Sequence, residues 1–302
     1  MSTFILTPEV QNAIESNKPI VALESTIISH GLPRPENFQV AQEFEAIIRD
    51  EGATPATIAI INGKICVGLS QSQLEYVAKS DEVIKSSTRD LGFVLSRKIS
   101  AATTVAATSH IARMAGIQVF ATGGLGGIHR GFNENFDESA DLEILSDTPI
   151  IVVCAGVKSI LDIGATLERL ETLGIAVCGY RTAEFPGFYR RNSGFTLDWQ
   201  LDSADDIAAA FRSSKEQNLN HALIVANPVS AADELNEELH EATLRSGLDL
   251  AQREQIRGKA VTPFLLEHFH RTTNQESLRV NVQVVKQNAR LAAQISKALF
   301  NS

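Results

Sequence analysis

The stretch IQVFATGGLGGIHRG, residues 117–131, indicates both the fold class and the place of a site. It begins as a short, mostly apolar run without strict alternation, which is typical of a strand covered on both faces. Five glycines follow within residues 122–131. Such a loop can expose backbone N–H groups directly after a strand, and this favours binding of an oxyanion, above all phosphate. A sharp surface turn is the other interpretation of the same glycines.

Two well-known phosphate-binding loops do not match this stretch. A dinucleotide fingerprint that begins at Gly124 or Gly126 lacks its third glycine, and no Gly-Lys-Ser/Thr closes a Walker-type loop. Thr122, His129 and Arg130 add polar side chains beside the glycines. Other residues of the chain are needed to distinguish a phosphate site from a plain turn.

Further short apolar runs alternate with amphipathic helical patterns along the chain. This alternation predicts one three-layer α/β/α domain over residues 1–302, with a central, mainly parallel sheet. Asn37 is a possible cap of the first clear helical stripe, and Gly52 is its stop. The other apolar runs are residues 20–23, 57–61, 83–84, 150–154, 175–178 and 222–226.

Three later segments have distinct patterns. A helix is predicted over residues 159–173, and a final helix carries Asn281 and Asn288 seven residues apart on one face. Residues 184–200 are predicted to form a long loop or a lid. Residues 230–257 are charge-rich and are predicted to be helical and exposed.

Composition excludes several classes of protein. The 302 residues are 44% hydrophobic and 21% charged, as expected of a globular chain with a large core. The net charge of −9 argues against binding to a nucleic-acid polymer, which needs a basic face. No apolar run approaches the ~20 residues that span a bilayer, and no signal-peptide pattern is evident. Cys66, Cys154 and Cys178 are widely spaced, so we expect buried reduced thiols in a cytoplasmic protein.

The residues that directly follow the predicted strands form the candidate site. Ligands of open parallel sheets bind at the carboxyl ends of the strands, where these residues would meet. They are a carboxylate, two lysines, the glycine loop and an amide: Glu24, Lys85, residues 122–131, Lys158 and Asn227.

Lys158 and Glu24 are the candidates for covalent and acid–base chemistry. Lys158 follows a buried strand and stands at the predicted start of a helix, and both features favour a neutral amine that can attack a carbonyl. The alternative is a lysine whose stem covers apolar surface while its head stays in water. Desolvation of Glu24 would raise its pKa into the range of a general acid, and a salt-bridge or cap carboxylate is the alternative.

Charged residues near the glycine loop indicate how a phosphate and a metal ion would be held. Lys85 and Arg89 can place two cations near a phosphate, or they lie in a solvated turn. Asp137 and Asp141 offer hard oxygen ligands to Mg²⁺ or Mn²⁺, with an acidic first helical turn as the alternative. Of the histidines, only His129 inside the loop is singled out.

Several motifs agree with one known family when they are taken together. They are ESTIISHG at residues 24–31, ATGGLGGIHRG at 121–131 with FD at 136–137 and SAD at 139–141, and CAGVKSILD at 154–162. This combination resembles the pseudouridine-5′-phosphate glycosidase family, which includes proteins called indigoidine synthase A-like. The resemblance extends from near Pro19, through Asn227-Pro228 and Thr262-Pro263-Phe264, to the last helix.

The resemblance implies an α/β/α fold, a homotrimer and a divalent metal ion, typically Mn²⁺. It also implies the reversible conversion of pseudouridine 5′-phosphate and water into uracil and ribose 5-phosphate, a step of pseudouridine degradation. By position, Lys158 corresponds to the Schiff-base nucleophile, Glu24 to the proton donor and Asp137 to the metal ligand. The implied substrate-binding positions are Lys85, Val105, Thr122, His129, Ser139, Ala140, Asp141 and Asn281.

Departures from the family pattern are mild. Ser86 and Ser87 differ from the residues usual after the lysine, which affects fine contacts only. No sugar-kinase domain is appended, so a separate protein is expected to phosphorylate the nucleoside. Two other functions fit the same residues: a Schiff-base aldolase acting on another sugar phosphate, and a nucleotide sensor without catalysis. Release of free uracil separates both from the glycosidase.

Overall fold

The computed structural model describes residues 4–256 and 260–300. The strands in this part of the chain are β1 (Ile5–Leu6), β2 (Ile20–Leu23), β3 (Thr54–Ile61), β4 (Lys64–Val67), β5 (Ile84–Ser86), β6 (Ala101–Thr103), β7 (Val119–Ala121), β8 (Ile151–Cys154), β9 (Ala176–Tyr180), β10 (Gln200–Leu201) and β11 (Leu223–Ala226). The helices are α1 (Pro8–Glu15), α2 (Glu36–Asp50), α3 (Gln71–Lys79), α4 (Leu91–Ser96), α5 (Val105–Met114), α6 (Phe132–Asn135), α7 (Ala140–Ser146), α8 (Ile163–Thr172), α9 (Ala204–Glu216), α10 (Glu237–Arg253), α11 (Val261–Thr272) and α12 (Glu276–Phe300).

The sheet runs in the order β1-β4-β3-β2-β7-β8-β11-β9-β10. All neighbours from β3 to β10 are parallel. The second half of β3 pairs antiparallel with both β4 and β6, and β1 and β5 join these two in parallel. The long strand β3 thus belongs to both parts of the sheet. The prediction of a mainly parallel sheet is confirmed.

Both faces of the central strands are covered by helices. Along β8, Ile151 and Val153 belong to one hydrophobic cluster and Val152 belongs to another. Helices α2, α9 and α12 pack on the first side, and α5, α7 and α8 pack on the second. Since side chains of a strand alternate between its faces, each layer of helices buries its own set of apolar residues. The three-layer α/β/α prediction is confirmed.

Asn37 is not the N-cap of α2, as the sequence had indicated. The helix begins one residue earlier, and the Asn37 side chain is buried inside the protein. Its Nδ2 donates to the carbonyls of Ile28 and Ala78 at 2.8 and 2.7 Å. Asn37 therefore ties α2 to the turn after β2 and to the end of α3. Gly52, at φ 85°, ends the helix as predicted.

Residues 184–200 form an extended loop that is anchored to the core. Phe185, Phe188 and Tyr189 are buried, and the N–H of Phe188 donates to the carbonyl of Ala155 at 3.0 Å. This loop therefore packs on the segment that follows β8. Its opening as a lid stays a prediction.

Two expectations from composition can be compared with the fold. The cysteines are buried free thiols. Among residues 4–256 and 260–300, no helix combines the length and the apolar character that crossing a membrane requires.

We predict that Asn37→Leu lowers the free energy of unfolding by about 2 kcal/mol, because a buried carbonyl is left without a donor. Ala78 keeps a second donor, Nε of Arg34 at 3.1 Å, so the loss arises mainly at Ile28. Urea unfolding measures the change. The control is Gln39→Leu, an exposed position on the same helix. Equal losses for the two variants would contradict this role of Asn37.

Candidate active site

Glu24 directly follows β2, and its carboxyl group is buried at the carboxyl edge of the sheet. Only 7% of the residue is exposed. Thr122, which directly follows β7, donates a hydrogen bond from its hydroxyl to Oε1 of Glu24. Burial raises the pKa of Glu24, while the charge of Lys158, the Thr122 hydrogen bond and the charge of Lys85 act in the opposite direction. Glu24 is therefore a protonated acid over a wider pH range than an exposed glutamate.

Lys158 is held by the loop after β8 and does not lie at a helix start. Its N–H donates to the carbonyl of Leu125 at 3.1 Å, and its carbonyl accepts from Leu161 at 2.9 Å. Helix α8 begins only at Ile163, with Asp162 as its cap. The predicted helix over 159–173 is thus shorter than expected, because the Asp162 side chain accepts from Ala165 and starts the helix there. The half-buried Lys158 side chain reaches the cavity beside Glu24.

Half of the ten N–H groups in the glycine loop, residues 122–131, are bonded within the protein. These five groups are not available to an anion, and binding of an anion by the rest of the loop stays a prediction. The acceptors are the carbonyls of Val153, Gly156 and Asp137 and the side chains of Asp141 and Thr166, which bond the N–H groups of Thr122, Leu125, His129, Gly126 and Ile128 respectively.

The glycines instead allow close packing. A Cβ at Gly124 would lie 2.6 Å from the Phe188 ring, and one at Gly126 would lie 2.6 Å from Oδ2 of Asp141. At Gly127 it would lie 2.7 Å from Cγ2 of Thr166. Contacts this short exclude any side chain, so the glycines bring neighbouring segments together around the site.

Asp141 joins the glycine loop to helix α5. Its Oδ1 accepts from the N–H of Ala106 and its Oδ2 from the N–H of Gly126, both at 2.9 Å. Ser139 caps α7, and its N–H donates to the carbonyl of Gly127 at 3.0 Å. The starts of α5 and α7 are thereby placed side by side, with Val105 and Ala140 as their first residues.

His129 and Asp137 face each other across the end of the glycine loop. Nδ1 of His129 lies 4.0 Å from Oδ2 of Asp137. Burial lowers the pKa of His129, Asp137 raises it, and the charges of Lys158 and Lys85 lower it.

The described residues contain no group of three or more His, Cys, Asp or Glu side chains that could hold a metal ion. A cation here would have Asp137 as its protein ligand and would need oxygens from elsewhere, which suits Mg²⁺ or Mn²⁺ bound with a phosphate.

Two cavities meet at Glu24 and Lys158. The first, of about 360 Å³, is lined by charged and polar groups, including Lys85, Arg89 and His129. The second, of about 200 Å³, has mostly apolar walls. The cavities share Glu24, Thr26, Lys85, Lys158 and Thr262. The residues predicted to act chemically therefore lie where a polar and an apolar compartment join.

The structure brings most of the predicted site residues into these walls. The first cavity contains Lys85, Val105, His129, Asp137, Ser139, Ala140 and Asp141 besides the two shared catalytic candidates. Asn281 lines the second cavity, and its buried Oδ1 has no hydrogen-bond partner among the described residues. Thr122 lines neither cavity and lies behind Glu24.

Sequence reasoning missed several wall residues. Thr26 is noted in the sequence only as a residue that follows β2, and His30, in the same ESTIISHG motif, could have been found from the turn after that strand. Phe188 reaches the second cavity from the 184–200 loop, and no local pattern marks it. Thr262 at the start of α11 was noted only as part of a resemblance.

Comparison with known proteins identifies the family of the chain. Residues 9–298 match the family described as indigoidine synthase A like protein. The chain belongs to this family. It is 55% identical over 291 residues to the pseudouridine-5′-phosphate glycosidase of Salinispora tropica, covering 96% of this chain and 90% of that protein. It is 50% identical over 295 residues to the protein of the same name from Geobacillus kaustophilus, covering 98% of each.

Two solved structures of proteins with similar sequences have the same fold. The prealnumycin C-glycosynthase AlnA, in complex with ribulose 5-phosphate, has a TM-score of 0.92 at 34% identity and covers 100% of this chain and 98% of AlnA. An indigoidine synthase A-like protein from Thermotoga maritima has a TM-score of 0.88 at 36% identity, covering 98% and 97%.

The buried carboxyl of Glu24 predicts a pH-dependent stability. Its pKa is raised above the ordinary 4.5, so above that pH the unfolded chain loses a proton that the folded protein keeps. Wild-type stability should therefore fall, relative to Glu24→Gln, as pH rises from 4.5 towards the raised pKa. Urea unfolding at about pH 5 and about pH 8 measures this difference, with Glu82→Gln as an exposed control. A difference that does not change with pH would show that Glu24 is ionised in the folded protein.

Proposed function

We propose that this protein reversibly cleaves the C–C glycosidic bond of pseudouridine 5′-phosphate to give uracil and ribose 5-phosphate. The observation that carries the proposal is the position of Lys158 and Glu24 at the junction of a polar and an apolar cavity. A nucleotide has the same division, with a sugar phosphate on one side and a flat base on the other. The bond to be cut would lie at the junction.

The larger cavity suits the ribose phosphate. Lys85 and Arg89 line it, and the starts of α5 and α7 face it through Val105 and Ala140. The side chains of Val105 and Ala140 carry no polar group. A phosphate can therefore be stabilised at these two positions only by the backbone, at the positive end of each helix. The AlnA complex with ribulose 5-phosphate shows that a protein of this fold holds a five-carbon sugar phosphate.

The smaller cavity suits uracil. Its walls include Gly123, Gly124, Phe188 and Leu266, which fit the faces of a planar ring. Oδ1 of Asn281 is buried and has no partner among the described residues, so it is available to an imide N–H of the base. Desolvating an unpaired amide oxygen is costly, and a base would remove that cost.

The reaction follows from the two groups at the junction. Breaking C1′–O4′ opens the ribose, and O4′ takes a proton from Glu24. The electron pair of that bond stays on O4′, the lone pair of the Lys158 amine bonds to C1′, and the nitrogen then returns a proton to the Glu24 carboxylate. Cleavage of C1′–C5 places a proton on C5 while the nitrogen lone pair forms an imine, and uracil leaves. Water hydrolyses the imine to ribose 5-phosphate and restores the amine.

A divalent ion belongs to this proposal, with Mn²⁺ as the expected ion and Mg²⁺ as the alternative. Asp137 would hold it, and the ion would neutralise phosphate charge. Neighbouring Asp141 is less suited as a ligand, because both of its oxygens already accept backbone N–H groups. Asp137 would therefore be the protein ligand of the ion, and oxygens from outside the protein would supply the other ligands.

We also propose a homotrimer in the cytoplasm. Three large aromatic side chains, Phe93, Phe136 and Trp199, are 68%, 76% and 70% exposed, which favours burial between subunits. The buried free thiols agree with a reducing compartment.

The test of the function is release of uracil, followed by chromatography. The protein should release uracil from pseudouridine 5′-phosphate, act very poorly on pseudouridine, which lacks the phosphate, and act poorly on uridine 5′-phosphate, which has a C–N bond. Lys158→Ala should abolish turnover, and Glu24→Gln should lower kcat about 10²- to 10⁴-fold. Lys79→Ala, at an exposed position, is the control.

Borohydride trapping identifies the nucleophile. Ribose 5-phosphate and borohydride should leave a reduced adduct on the peptide that contains Lys158. An adduct on Lys85 would exchange the roles of the two lysines, and no uracil from any substrate would reject the function.

Asp137→Ala should raise the Mn²⁺ concentration needed for half-maximal uracil release, because the ion loses its protein ligand. The melting temperature should not change, since Asp137 lies in the cavity wall rather than in the core. Glu143→Gln, an exposed carboxylate nearby on α7, is the control. An unchanged metal requirement would assign Asp137 to the helix start alone.

A further inference from the structure

A chain of hydrogen bonds reaches Glu24 from behind the cavity. The Thr122 hydroxyl donates to Oε1 of Glu24. Nδ2 of Asn288 donates to the carbonyl of Thr122 at 2.7 Å. Nδ2 of Asn227 in turn donates to Oδ1 of Asn288 at 2.9 Å. These residues come from the ends of β2, β7 and β11 and from α12, so the chain spans the carboxyl edge of the sheet.

The orientation of the Asn288 amide is fixed by its surroundings. The residue is fully buried, and its Nδ2 lies between the carbonyls of Thr122 and Gly123, at 2.7 and 3.4 Å. If the amide were turned over, its oxygen would face two carbonyl oxygens and its NH₂ would face that of Asn227. Asn288 therefore holds Thr122 in one position.

As a result, every polar group of Thr122 takes part in a hydrogen bond within the protein. Its N–H donates to the carbonyl of Val153 at 3.0 Å, its carbonyl accepts from Asn288, and its hydroxyl donates to Glu24. Only 1% of the residue is exposed. The hydroxyl proton is thus committed to Oε1 of Glu24.

The two oxygens of Glu24 consequently differ. Oε1 is occupied by Thr122, whereas no hydrogen bond to Oε2 is found within residues 4–256 and 260–300. Glu24 lines both cavities, while Thr122 and Asn288 line neither. Only Oε2 is therefore free to meet a substrate.

We propose that Asn288 is a positioning residue for proton transfer by Glu24. Held by Asn227, it fixes Thr122 on Oε1, so that Oε2 is the oxygen that gives its proton to O4′ when the C1′–O4′ bond breaks. The proposal rests on the proposed function. Asn288 itself touches neither substrate nor reacting atoms.

The charged groups that face Glu24 come from three other elements. They are Lys158 after β8, Asp141 on α7 and Lys85 on β5. Asn227 and Asn288 are neutral, so their removal leaves this set of charges unchanged. Any effect on the carboxyl group then has to pass through Thr122. Because the Thr122 hydrogen bond lowers the pKa of Glu24, its loss should raise that pKa.

A double-mutant cycle tests the proposal. Thr122→Val and Asn288→Ala should each lower kcat for uracil release about 10- to 100-fold, with KM changed less than about twofold. Because both act through one hydrogen bond, the double variant should be no slower than the slower single variant. The control is Ser296→Ala on the same helix, which removes a buried hydrogen bond of 3.0 Å to the carbonyl of Ile20. Its melting temperature should fall while its kcat stays that of wild type.

A second measurement needs no substrate. Carbon-13 NMR of labelled glutamate carboxyls, with Glu24→Gln to assign the signal, follows the titration of Glu24. Its midpoint should move to higher pH in Thr122→Val and in Asn288→Ala, but not in Ser296→Ala. If Asn288→Ala does not fold, Asn227→Ala should produce the same upward shift, since it releases the Asn288 amide.

The outcomes separate this proposal from the proposed function. If the wild-type protein releases no uracil but the NMR shifts appear, the function is rejected, while the shifts support the part of the proposal in which Asn288 holds Thr122 on Oε1 of Glu24. If the wild-type protein releases uracil normally, the positioning role is overturned when the losses of kcat in the two single variants multiply in the double variant. The role is also overturned if the titration midpoint of Glu24 does not move in Asn288→Ala, or moves equally in Ser296→Ala.

Discussion

The site depends on a pairing that continues past the ends of β7 and β8. The segments that follow Ala121 and Cys154 remain side by side, and Leu125 and Val157 still form a parallel bridge. Lys158 donates its N–H to Leu125 because of this extension. The backbone of Lys158 is thereby hydrogen-bonded to the glycine loop and is not part of a helix. A lysine side chain is long and flexible, so fixing its backbone is what limits the positions its amine can reach.

The extended pairing in turn requires the glycines. Residues with side chains at Gly124 and Gly126 would collide with Phe188 and Asp141, the two groups that close the loop on its sides. Phe188 then forms a wall of the apolar cavity, and Asp141 draws the start of α5 to the polar one. The same close approach of the backbone thus shapes both cavities, and Glu24 and Lys158 lie where the two meet.

The sequence predicts the fold well where residues are buried in continuous runs. The runs that became β2, β7, β8 and β11 were identified because strands covered on both faces are apolar throughout. Strands β4 and β6 are absent from the predicted apolar runs, because Lys64–Val67 begins with a charged residue and Ala101–Thr103 has no strand-like pattern. Asn62-Gly63, both at positive φ, is a hairpin signal that could have indicated β4. Residue types at strand ends likewise predict that Glu24 and Lys158 meet, because topology alone brings strand ends together.

The sequence does not reveal which polar groups already have hydrogen-bond partners within the protein. A glycine loop, an aspartate and a threonine all suggest ligand contacts, yet five of the ten loop N–H groups, both oxygens of Asp141 and the hydroxyl of Thr122 are bonded within the protein. Partners of this kind lie far apart along the chain, as Thr122 and Glu24 do at a separation of 98 residues. Buried polar groups need partners at nearly any separation, so a site is defined by the groups that remain after internal pairing. By that criterion, the buried and unpaired Oδ1 of Asn281 indicates a ligand more strongly than the glycines do.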